Sequence, residues 1–166
     1  DAVEIHVQFN QENQTIKGRN TMMLCDLAIT VPAQTPISLR NSFGDVTIQK
    51  IQSDIQSENK FGNTVIAGTR GALNTVSEYG QLSIEDHEGD GKVRGQFGDV
   101  FINKLNGGLT VETGYGKTQI STERKDAKID GKFSFGPAAI NLPSDFSGRI
   151  EAFASFGERS EERRVG

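Results

Sequence analysis

Apolar positions in this chain recur on two scales. The shorter is strict alternation. Val46 and Ile48, Thr64 and Ile66, Leu82 and Ile84, Val100 and Ile102, Thr118 and Ile120, and Ala138 and Ile140 are pairs two residues apart. A period of two places both members on one face of a strand. Between them stand Thr47, Val65, Ser83, Phe101, Gln119 and Ala139, mostly polar or small and facing the other way. A second alternating segment precedes each of the first five pairs: Ile37 and Leu39, Ile55 and Ser57, Leu73 and Thr75, Gly91 and Val93, Leu109 and Val111. The pattern predicts two short strands per unit and none of the helical spacing of leucine-rich or ankyrin repeats.

The longer scale is set by an aromatic-glycine pair. It appears at Phe43-Gly44, Phe61-Gly62, Tyr79-Gly80, Phe97-Gly98, Tyr115-Gly116, Phe135-Gly136 and Phe156-Gly157, first every 18 residues, then after 20 and 21. Turn-rich stretches AGTRG, EDHEGDG and NKLNGG are expected to join the strands. Each unit then reads strand, turn, strand, sharp corner. It is too short for a four-stranded propeller blade. An antiparallel meander gives no reason for identical residues at identical offsets. Stacked coils of parallel strands, about 4.8 Å apart, do give one. The expected fold is therefore all-β: a single-stranded parallel β-helix, or β-solenoid, of 18 residues per coil. Isoleucines fill its interior, rings stack on offset rings, and glycine turns the corner. About eight coils would make a rod roughly 38 Å long.

The organisation expected is one β-solenoid domain over residues 1–166. Residues 1–40 are divergent first coils and a cap, 41–157 the regular repeats, and 158–166 a charged tail. In the cap, Val3, Ile5, Val7 and Phe9 share one face, as do Met23, Cys25, Leu27, Ile29 and Val31. Covering the end of the stack would protect unpaired strand edges.

Charge narrows the function classes. The net charge is −4 with both signs interspersed, so no basic patch favours nucleic acid or an anionic membrane. No apolar window is long enough for a transmembrane segment. The run ERSEERR, from Glu158 to Arg164, reads as solvated. The one cysteine, Cys25, has no internal disulfide partner. The start at Asp1, without Met or signal peptide, fits a processed protein or a trimmed piece of one.

The stretch LAITVPAQTPISLRNSFGDVTI resembles the entry motif of a bacterial family of unknown function that carries the label adhesin. There a strand ending in Val-Pro is followed by an extended stretch and a Gly-Asp-Val or Gly-Asp-Ile repeat, here Val31-Pro32 and Gly44-Asp45-Val46. The head-domain family of auto-transporter-like adhesins has a similar look. The resemblance covers about Leu27 to Gly157. It implies a right-handed parallel β-helix, export to the cell envelope (periplasmic or surface-exposed), and no catalytic residues.

The chemistry-bearing residues point the same way. Nucleophilic catalysis needs a base beside the nucleophile. His6 lies on the polar parity of its strand, His87 in the expected turn EDHEGDG, and Cys25 on an apolar face. That turn gathers four acids and a histidine between Glu85 and Gly91, but lacks EF-hand or nonapeptide calcium-repeat spacing. Asp45 and Asp99 occupy equivalent corners three coils apart, about 14 Å, too far to share an ion. The outward row Asp45, Asn63, Gln81, Asp99, Lys117, Pro137 has no carboxylate cluster suited to sugar cleavage. The row through Thr47 is no threonine ladder for ice, and its Phe101 is the one expected exposed aromatic. Expected, then, is a non-enzymatic cell-envelope or surface module with no cofactor, metal or catalytic site; the alternative is an envelope-stress regulatory or structural assembly module that binds a protein of the same cell. Its partner would be a protein or glycan at a cell surface, with weak self-association through sheet edges.

Overall fold

The computed structural model describes the backbone of residues 3–6 and residues 29–155 in full. The fold is an all-β parallel solenoid of about seven turns of about 18 residues, without a helix among the described residues. One sheet has eight strands: β1 (Val3–His6), β2 (Ile37–Phe43), β4 (Ile55–Phe61), β6 (Leu73–Tyr79), β8 (Gly91–Gly95), β10 (Leu109–Thr113), β12 (Lys128–Ser134) and β14 (Arg149–Ser155). The other has six: β3 (Val46–Gln49), β5 (Thr64–Arg70), β7 (Leu82–Glu88), β9 (Val100–Asn106), β11 (Thr118–Ser121) and β13 (Ala138–Asn141). Successive strands of the chain alternate between the sheets from β2 onward, and every neighbouring pair is parallel. Among the described residues β1 and β14 pair in the larger sheet without counterparts in the smaller, and these residues make about seven turns where eight coils were expected of the whole chain.

Register carries the sequence period into space. Ile48 lies opposite Ile66, Ile66 opposite Ile84, Ile84 opposite Ile102, and Ile102 opposite Ile120 through Ile140. Ile66, Ile84, Ile102 and Ile120 are fully buried between the sheets, with Leu82 and Leu105. Because side chains alternate at period two, a slip of one residue would turn this entire row outward.

The expected turns AGTRG, EDHEGDG and NKLNGG are a correction. The strands β5, β7 and β9 run on through most of these residues. The bend sits inside the strand at Gly68, Asp86 and Lys104, and just past the end of β3 at Lys50, each with φ between 52° and 60°. A single left-handed residue redirects the chain without ending the pairing. The next residue of each coil, Ile51, Thr69, His87 and Leu105, then points inward and is buried. True corners follow at two glycine columns. A Cβ on Gly62, Gly80, Gly98, Gly116 or Gly136 would overlap the carbonyl oxygen of the corner glycine one coil earlier.

Residues 29–32 are irregular. Val31 packs against the core, but Ile29 is 44% exposed, so the shared face expected from Met23 to Val31 does not continue through Ile29. Val7, Phe9, Met23, Cys25, Leu27, Phe156, Gly157 and the charged tail lie outside the described residues.

Candidate interaction surface: the aromatic ladder

Parallel register brings the six described corner aromatics into one column. Phe43 lies opposite Phe61, and Phe61 opposite Tyr79. Ring centroids from Phe43 through Phe61, Tyr79, Phe97 and Tyr115 to Phe135 are 4.7–5.1 Å apart, with neighbouring planes within 10°. Five such steps make a column about 25 Å long. The stacking was expected from the sequence; the exposure was not. Phe61, Tyr79, Phe97, Tyr115 and Phe135 are 44–48% exposed and Phe43 is 68% exposed. Phe101, expected to be the exposed aromatic, is half-buried on the face of the smaller sheet. Rings flanked on both sides have their faces covered, so the column offers mainly ring edges.

Strand parity alone would send these rings inward. In β4 the inward residues are Ile55, Ser57 and Asn59, and Phe61 is next in that series. The corner overrides parity. Asn59 Nδ2 donates to Thr64 Oγ1 at 3.1 Å and to the Gly62 carbonyl at 3.1 Å, filling the inside of the bend. Two coils further on from Tyr79, Thr118 Oγ1 donates to Thr113 Oγ1 at 2.9 Å and plays the same part. With the inner corner occupied by short polar side chains, the ring is left outside. Tyr79→Ala removes two stacked pairs and is expected to lower stability by about 1–3 kcal/mol, read by urea unfolding. No loss would mean that the rings stack without stabilising.

Beside the column, carboxylates and amides hold the coils in register. Asp45 Oδ1 accepts the Asn63 N–H at 2.7 Å, Asn63 Oδ1 the Gln81 N–H at 3.0 Å, and Asp99 Oδ1 the Lys117 N–H at 2.8 Å. At the second corner Asp54 and Asp90 cap Ala72 and Gly108 in the same way. The outer face of the larger sheet carries the exposed pairs Arg40–Glu58 and Arg94–Glu112, each worth less than about 1 kcal/mol.

The five titratable groups of EDHEGDG diverge. Glu85 and Asp86 face solvent, Glu88 pairs with Arg70, and Asp90 caps the next coil. His87 is 1% exposed and lies inside the solenoid, which corrects its expected place in a solvated turn. Its Nδ1 is 2.9 Å from Thr69 Oγ1, and its Nε2 has no protein partner. Burial pushes its pKa below the ordinary value, against the opposing influence of Asp90. The backbone of His6 lies in β1, and Cys25 is outside the described residues. Among the described residues no group of three or more His, Cys, Asp or Glu is placed to hold a metal ion.

Compared with protein-family models, curated proteins and solved structures, the chain gives no match.

Proposed function

We propose that this solenoid is a non-enzymatic binding scaffold of the cell envelope or cell surface, an adhesin-type module whose ladder meets a partner. The exposed aromatic column carries this reading. A continuous apolar stripe about 25 Å long is held rigid by paired strands on both sides of the corner, and contiguous apolar surface of this kind marks interaction sites. The resemblance of the Val31-Pro32 and Gly44-Asp45-Val46 elements to the adhesin-labelled family supports the placement at the envelope. A protein of the same cell, bound for regulation or assembly, is the second reading. It is favoured by one observation: sugar rings pack on aromatic faces, and the ladder's faces are covered.

Capture experiments with the labelled chain decide between them. One arm uses envelope extract from the source cell, the other glycans and matrix proteins of foreign surfaces. Capture by the foreign surfaces, lost on Phe97→Ser/Tyr115→Ser, supports adhesion. Capture from the cell's own envelope, lost in the same variant, supports the regulatory or assembly role. Capture that ignores the ladder variant removes the observation on which both readings stand.

A further inference from the structure

The column of residues just before the corner aromatics changes character along the rod. It reads Ser42, Lys60, Glu78 and Gln96, then Gly114, Ser134 and Ser155. Over the later coils these small residues leave a groove of about 350 Å³ between the ladder and the outer face of the larger sheet. One wall is Phe97, Tyr115 and Phe135; the other includes Glu112, Lys132 and Phe153. This volume falls within the range of small-ligand sites.

We propose that this groove binds a flat aromatic anion lying along the solenoid axis. Two features select that chemistry. Phe97, Tyr115 and Phe135 follow one another at 5.0 and 4.7 Å with their planes nearly parallel, so they line the groove with ring edges. Ring edges carry the positive part of the aromatic quadrupole, and their best partner is the negative face of another aromatic system. A planar ligand laid across successive edges satisfies this along its length; an acyl chain does not. The second feature is charge. Glu112 is neutralised by Arg94 at 2.9 Å, whereas Lys132 has no ion-pair partner among the described residues. Lys132 lies in register between Glu112 and the 65% exposed Phe153, which places its cation on the groove wall. The inference does not depend on adhesion: a groove ligand and a ladder partner can each fail alone.

Gly114 provides the decisive variant. A Cβ there would meet nothing closer than 3.8 Å, and the equivalent positions in earlier coils carry Lys60, Glu78 and Gln96. Gly114→Gln should therefore fold normally, checked by circular dichroism, and fill the groove. The probe is pyrene sulfonate, titrated with the full chain and followed by fluorescence anisotropy. Saturable binding is expected, weakened at least about tenfold by Gly114→Gln. A cationic pyrenyl ammonium should bind about threefold more weakly than the sulfonate, and Lys132→Gln should erase that difference. An alkyl sulfonate should compete poorly. Absence of saturable binding, unchanged affinity in Gly114→Gln, or equal competition by the alkyl chain would each overturn the proposal.

Discussion

Replacing Gly98 with alanine is expected to destabilise the solenoid by about 3 kcal/mol or more. Gly98 does not have a positive φ, so the backbone conformation itself would accept alanine. What forbids it is space. The added Cβ would overlap the carbonyl oxygen of Gly80 in the preceding coil. That carbonyl belongs to backbone, and Gly98 is itself tied onward by its N–H to the Tyr115 carbonyl at 3.0 Å. Neither coil can retreat without opening the stack. Gly68→Ala is the matching control. Gly68 has φ of 60°, but an added Cβ would meet nothing within 4 Å. Its loss should be only the left-handed strain, about 1 kcal/mol. Equal losses at the two sites in urea unfolding would refute the view that coil stacking, more than local conformation, demands the corner glycine.

The second large effect is a loss of stability in mild acid. The unfolded chain protonates His87 near its ordinary pKa of 6.5, while the folded chain resists protonation because the ring is buried. Protons therefore favour the unfolded state once the pH drops below that value. The contribution of His87 is complete above about pH 6.5 and is lost as pH falls, by up to about 1.4 kcal/mol per pH unit, until the folded protein also takes up the proton. His87→Leu should flatten the stability profile between about pH 7 and pH 5.5, above the ordinary carboxylate range. Leucine suits the site, since Leu105 occupies the next place in the same inward column. Profiles of equal slope for the two proteins would show that His87 is not what makes the fold acid-sensitive. The Thr69 hydroxyl, which loses its partner in the variant, affects the height of the profile and not its slope.

Buried polar groups cluster near the same coils. Ser57, Thr75 and Ser77 have hydroxyls without a protein partner, and Asn59 and Thr64 are buried beside them. Unsatisfied polar groups inside a protein are costly. Here they sit next to the corner that excludes the aromatic rings. The arrangement that leaves the ladder on the outside thus gives up part of the apolar core.

The sequence by itself determined the period, the strand faces and the stacking. An isoleucine five residues after each of the first six aromatics, and glycine directly after each, have one economical solution in parallel coils, because only in-register stacking gives equal residues equal surroundings. What tertiary structure alone decided was which side of the backbone three groups of residues occupy. Parity points the Phe61 ring inward, yet the corner carries it out once Asn59 and Thr64 close the bend. Local composition makes EDHEGDG a solvated turn, yet one left-handed residue at Asp86 keeps the strand paired and turns His87 into the core. The groove beside Phe97, Tyr115 and Phe135 exists because residues one coil apart in sequence become neighbours in space. The corner closes within one coil, through Asn59 and Thr64, whereas the pairing of β7 and the groove rest on contacts between coils, whose partners lie about 18 residues away along the chain.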